Sequence, residues 1–421
     1  MASLAPEFLV IKEENPDRVT QADLVLGVLS KNDAQTMERV VLKLTEGWAQ
    51  DYPQIRAVLA LADCASQDDC VERFFQASCE PPKFALPKIA LISPPERAEE
   101  IQALLNLMIL AQRLQAKIIV VQSADTMTIR RSWLRRLIQP LVEDIADFTN
   151  PLYSRNAIDS PVTNLMVYPL FRALFGRRLR QPILTDWAFN DRVLAEFLSF
   201  QLWPPHPGQL SPELMVKALA VTRGFRVCQS IMTEGRYGLS NKRMDTPHII
   251  GIFHQLARGF FEIMIKLKDN WRTVTRSRPT SVIGTDLKPN LYPVRYQPRL
   301  EELYGEIQTL LAATEPQWRG ILANNPGDLG QYLKNATLDS LDLTTEQWGL
   351  FLFYCGSLFE NLAESERGPL LEAMTPVFLA RFLAFQKQTI GLSATQVETK
   401  VEEGAANLEN LKRELCRQIK L

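Results

Sequence analysis

Three arginines within four positions, Arg177, Arg178 and Arg180, lead into Gln181-Pro182 and then an isolated carboxylate, Asp186. Guanidinium groups form forked, charge-assisted hydrogen bonds, so such a cluster beside an ordered polar loop suits an anionic ligand such as phosphate. A polar loop precedes it: Thr149, Asn150, Arg155, Asn156, Asp159, Thr163 and Asn164 interrupt the apolar pattern. If buried, these groups must be hydrogen-bonded. Between loop and arginines lies a helical stripe of Leu165, Tyr168, Leu170, Phe171 and Leu174, closed by Gly176. The competing reading is a helix C-terminus whose cations complement the dipole.

Carboxylates and hydroxyls also recur where apolar runs stop. Residues 22–29 form a continuous β-rich run, as in a strand buried on both faces, and end in Ser30-Lys31-Asn32-Asp33. Residues 55–61 run into Asp63, residues 87–92 make a third strand, and residues 117–121 run into Ser123 and Asp125. Helical patterns at 36–48, 69–77 and 97–115 separate them. Alternation of this kind predicts an α/β fold with a mostly parallel sheet and right-handed crossovers. Ligands of such sheets sit at the carboxyl ends of strands, where Ser30, Asn32, Asp33, Asp63, Ser123 and Asp125 would stand. An aspartate there can coordinate a divalent metal or bind a ribose hydroxyl, and it can equally cap the next helix. No GxGxxG follows the first strand and no GxxxxGK[ST] occurs, so dinucleotide and P-loop readings fail. His248 and His254 are six apart, which does not put ligands on one helix face, and His206 sits among prolines.

The remaining features set the frame. A net charge of −1 argues against a nucleic-acid binder driven by bulk charge. Six cysteines without CxxC or Cys/His pairing favour reduced thiols in a cytoplasmic protein. The early acids Glu7, Glu13, Glu14 and Asp17 do not read as a signal peptide, and no apolar run reaches the roughly 18 residues of a membrane span. Further helices are expected at 192–202, 212–221 and 246–267, with a strand at 224–231. A polar, proline-containing linker at 272–298 follows a domain of residues 22–271 and a lead-in of 1–21. Residues 299–421 read as about four helices, the last charged enough to be solvated or to meet a protein partner or a second copy.

With these elements in order, the wording of the loops resembles glucosylglycerate and mannosylglycerate synthase-type glycosyltransferases. ADLVLGVLSKNDAQTMERVV is similar to their first strand, whose loop holds the nucleotide, which implies donor roles for Ser30 and Asn32. IRAVLALADCASQDD looks like the second, ending in the aspartate that reads base or ribose, here Asp63. LQAKIIVVQSADTMTIRRSWLRRLIQPL matches the strand leading to the metal-binding DxD, which implies a metal role for Asp125. The long run from Phe148 to Asn190 is similar to the acceptor-side segment, implying that Thr163, Asn164 and Arg180 hold the acceptor and Asp186 lies near the reacting carbon. The resemblance spans roughly residues 22–271 and implies a GT-A fold with a helical C-terminal region.

The departures are concentrated on cation and phosphate. Ser123-Ala124-Asp125 keeps one DxD acid, and Tyr237 stands where a metal-ligating histidine is implied. The phosphate loop aligns near Pro95-Glu96-Arg97-Ala98-Glu99 without its lysine, leaving Arg97 to supply charge. A helix-preceding aspartate becomes Glu213, a second catalytic candidate. Mg²⁺ or Mn²⁺ is implied by the resemblance, yet the ligand set is incomplete. Two functions follow: hexosyl transfer from a nucleoside-diphosphate sugar to a small hydroxy acid of glycerate type, or a catalytically inactive relative acting as ligand sensor or scaffold.

Overall fold

The computed structural model of the chain describes residues 12–78, 85–95, 99–155, 157–199, 211–232, 235–238, 245–285 and 296–418. Two compact units share them. The first comprises Met1–Arg155, Gln181–Lys242 and Thr280–Tyr292; the second comprises Asn156–Arg180, Arg243–Pro279 and Pro293–Leu421.

In the first unit the chain runs β1 (Lys12–Glu14), β2 (Leu24–Ser30), α1 (Ala34–Asp51), β3 (Ala57–Asp63), α2 (Cys70–Gln76), β4 (Lys88–Ile92), α3 (Glu100–Arg113), β5 (Ile118–Ser123), α4 (Arg131–Val142) and β6 (Phe148–Leu152). It crosses to the second unit for a π-helical turn, Thr163–Val167, then α5 (Tyr168–Phe175) and β7 (Arg177–Arg178). It returns for β8 (Trp187–Asn190), α6 (Asp191–Ser199), α7 (Pro212–Thr222) and β9 (Val227–Ile231). The second unit takes α8 (Thr246–Lys266), α9 (Lys268–Arg272) and β10 (Arg278–Pro279), and the first regains β11 (Ser281–Ile283). Helices α10 (Leu300–Ala313), α11 (Glu315–Arg319), α12 (Leu329–Asn335), α13 (Thr345–Asn361), α14 (Glu364–Thr389) and α15 (Ala394–Gln418) complete the second unit.

The sheet order is β1-β4-β3-β2-β5-β8-β6-β9-β11. Strands β2 to β6, β9 and β11 pair in parallel, while β1 and β8 run against their neighbours. The mixed α/β class, mostly parallel sheet and helical C-terminal region agree with the sequence reading. The apolar runs LVLGV and AVLALA are buried throughout, because α1, α2 and α4 cover one face and α3 and its neighbours α6 and α7 the other. Two details differ from expectation. Lys12–Glu14, inside the anticipated lead-in, pairs with β4, and the C-terminal region holds six helices rather than four.

The second unit is built on aromatic packing. Phe253 stacks on Phe378 with centroids 4.3 Å apart, and Trp348 donates through Nε1 to the Leu165 carbonyl at 2.7 Å. Gly176 ends α5 in the left-handed conformation, φ +67°, which its missing Cβ permits. Helix α14 contains an 18-residue window of mean hydropathy 1.3, apolar enough to cross a membrane, yet 83% of that window is buried. The charged α15 does not simply face solvent: Glu398, Glu402 and Glu409 bond to Arg180 and Arg172 of the same unit.

Asp147, 5% exposed, joins the ends of β6, β8 and β9 by accepting from Asn190, Arg192 and Arg226. Burial pulls its carboxyl up, but the Arg226 side chain and backbone amide hold it down at about 2. A depressed carboxylate stabilises the fold above its unfolded value and loses that contribution as pH falls through the folded one. Asp147→Asn is therefore expected to cost on the order of 2 kcal/mol at neutral pH in denaturant unfolding, with the deficit vanishing toward pH 2.

Candidate functional site

At the carboxyl end of β5 four donors converge on one buried carboxylate. Asp186 is 0% exposed. Its Oδ1 accepts from Gln122 Nε2 at 2.7 Å and the Ser123 amide at 3.1 Å. Its Oδ2 accepts from the Tyr153 hydroxyl at 3.0 Å and Arg236 Nε at 2.7 Å. The donors come from β5, from the residue following β6 and from the segment after β9, so the contact ties three strand ends together. Gln181 fixes Tyr153 by bonding its backbone both ways, accepting from the amide at 3.1 Å and donating to the carbonyl at 2.7 Å. Burial and the neighbouring Asp186 charge push the Tyr153 phenol well above its ordinary value. Arg236 stays charged, since Asp186 outweighs the effect of burial.

Residues 235–238 lie along the β5–α4 loop. Met127 donates its amide to the Tyr237 carbonyl at 2.8 Å, and the Tyr237 amide donates to Thr128 Oγ1 at 2.9 Å. Arg236 also reaches Thr126 and Thr185 at 3.2 and 3.0 Å. A Cβ on Gly238 would stand 2.2 Å from Asp125 Oδ2, so glycine lets this segment approach the carboxylate.

A second titratable group lies on α7. Glu213 accepts from Ser211 Oγ at 2.8 Å, and one turn later Lys217 donates to the Leu184 carbonyl at 2.5 Å. Lys217 also lies 4.8 Å from the Trp187 ring centroid. Burial, with the Glu100 charge adding, pushes Glu213 up to about 7. Burial pushes Lys217 down to about 7, against the pull of Glu213 and Asp186.

At the other strand tips the polar residues mostly order their own loops. Ser30 Oγ pairs with Cys70 Sγ at 2.8 Å. Asn32, at φ +59°, accepts from the Gln67 amide at 2.7 Å while its own amide donates to Ser66 Oγ at 2.9 Å. Asp63 accepts from the Ser66 amide at 2.9 Å and hydroxyl at 2.5 Å, which is the loop-capping role open to it. Asp33 differs: burial pushes it up to about 6 against its Lys31 amide bond, with the charges of Asp125 and Asp68 adding. Thr163, Asn164 and Arg180 belong to the second unit, where Arg180 bonds Asn164 Oδ1 at 2.8 Å and Glu398 at 2.5 Å. Arg97 and His206 lie outside the described residues.

Among the described residues no three His, Cys, Asp or Glu side chains gather as metal ligands. Asp186, which could have been one, is occupied by Arg236. Asp125 and Asp33 stand one on each of the loops that follow the adjacent parallel strands β5 and β2. Magnesium is commonly held by one or two carboxylates together with substrate phosphates. Two carboxylates of this kind fit a cation that arrives with a diphosphate; among the described residues no third ligand joins them.

Among known proteins, solved structures are similar to the chain over part of its length. No family model matches the chain, and no curated protein does. The chain is similar to glucosyl-3-phosphoglycerate synthase from Mycobacterium tuberculosis bound to Mn²⁺, uridine diphosphate and glucosyl-3-phosphoglycerate, at 16% identity and a TM-score of 0.42, covering 58% of this chain and 80% of that one. The same enzyme with Mg²⁺ and uridine diphosphate gives 16%, 0.43, 58% and 79%. Its complex with phosphoglyceric acid gives 15%, 0.41, 58% and 80%.

Sequence reasoning singled out Asp186 but not its partners. Lys217 was visible in principle, one helical turn beyond Glu213. Arg236 was not, since nothing local links it to a carboxylate 50 positions earlier. Removing one member of a buried pair leaves an uncompensated charge. Arg236→Met is expected to lower stability by roughly 3–5 kcal/mol in urea unfolding. The double variant Asp186→Asn/Arg236→Met should lose less than the two single variants summed.

Proposed function

We propose that the first unit is a glycosyltransferase domain of GT-A type, binding a nucleoside-diphosphate sugar at the carboxyl ends of β2, β3 and β5 and transferring its hexosyl group to a small hydroxy acid of glycerate type. The carrying observation is that Asp33 and Asp125 stand on the loops after the adjacent parallel strands β2 and β5, where burial, with repulsion from Asp125 adding, raises Asp33 to about 6. A cation entering with the diphosphate would relieve that repulsion. When bound, Mg²⁺ or Mn²⁺ supplies charge neutralisation for the departing diphosphate. Asn32 and Asp63 order the loops that face the nucleoside. Glu213, poised near neutrality, can hold or release a proton near the reacting sugar. Asp186 positions the β5 loop through its four donors and is not the reacting carboxylate.

That same saturation of Asp186 favours a second reading, a non-catalytic sugar-nucleotide sensor. A carboxylate has about four lone-pair sites, and here four donors fill them.

Calorimetry with UDP- and GDP-sugars, with and without Mn²⁺, tests both, alongside mass spectrometry of glycerate or phosphoglycerate incubated with the donor. Binding should require Mn²⁺, weaken by about tenfold or more in Asp125→Asn, and fade as pH falls through about 6, because ligating carboxylates must be deprotonated. Absence of binding under every condition would sink the proposal, and binding without transfer would leave the sensor.

A further inference from the structure

The second unit carries a groove of about 320 Å³ bordered by Arg272, Arg276, Lys412 and Arg413, with no acidic side chain in its lining. It shares Arg272, Lys412 and Cys416 with a smaller cavity of about 60 Å³. That cavity is walled mainly by apolar groups, including Met264, Trp271, Phe353 and Leu415. Its one acid, Glu360, is already held by Lys268 at 2.5 Å.

Four cations border the groove, and the Glu409 charge acts on one of them, Lys412; several other arginines of this unit pair directly with acids. Arg172 has Glu402 and Glu409, Arg180 has Glu398, and Arg367 has Glu262 and Glu364. No ion pair joins Arg272, Arg276 or Arg413 to an acid among the described residues. The Nε–H groups of Arg272 and Arg413 are buried with no hydrogen-bond partner among the described residues. Lys412 is 3% exposed and anchors the groove wall by donating to the Trp271 carbonyl at 2.7 Å. Burial also lowers its pKa.

We infer that this groove binds a phosphate monoester carried on a short apolar chain. The phosphate oxygens accept from Arg272 and Arg413 with Arg276 at the rim, and the chain enters the neighbouring cavity. Phosphate fits because its oxygens can accept from several guanidinium donors at once, which a lone carboxylate does less well. The inference lies wholly within the second unit and stands whether or not the first transfers sugar.

Calorimetry of the full chain against hexyl phosphate, inorganic phosphate and hexanol tests it, with vesicles of phosphatidic acid in phosphatidylcholine separating a lipid source from a free one. Hexyl phosphate, or the vesicles, should bind. Arg276→Glu, an exposed position whose change leaves the core intact, and Arg413→Glu should each weaken that binding by roughly ten- to a hundredfold. Bound ligand should also slow alkylation of Cys416, which lines both spaces. Equal affinity for inorganic phosphate and hexyl phosphate would overturn the apolar half of the assignment. No binding by either phosphate ester source, or binding untouched in both variants, would overturn all of it.

Discussion

A carboxylate shut away from water needs its charge answered on the spot, and in the first unit Asp186 meets that requirement from three strand ends at once. The arrangement has a geometric result. The loops after β5 and β9 and the residue after β6 cannot shift independently without stripping the carboxylate of a donor. It also has a chemical result. With its lone pairs filled, Asp186 organises the loops at the carboxyl end of β5, and the carboxyls raised by burial lie elsewhere, at Asp33 and Glu213.

Much of the sheet was legible because β2, β3 and β5 are buried on both faces and so carry unbroken apolar runs. Their observed limits differ from the expected ones by about two residues. Other strands left no such trace. FTNPL of β6 contains asparagine and proline, and WAFN of β8 is only four residues long; both exist because of partners distant in sequence. Strand β1 depends on pairing with β4 across some eighty positions.

The site was legible by residue type more than by role. Asp63 stands at a strand tip as its position implied, but its bonds go to Ser66, three residues on. The arginine cluster drew attention as a place for anions, yet Arg180 is answered by Glu398, 218 positions later. A local window shows the charge and hides its partner. Buried Nε–H groups without a hydrogen-bond partner among the described residues also lie at Arg272 and Arg413, where sequence offered only a polar linker and a charged terminal helix.

Helix α15 supplies Glu402 and Glu409 to Arg172 and Glu398 to Arg180, two side chains no more than 11% exposed. Those arginines are made more than two hundred residues before their partners. Chains emerge from the ribosome amino end first, so both arginines stay solvated until the helix that answers them has been synthesised. The core of the second unit can therefore close around those arginines only once α15 has been made.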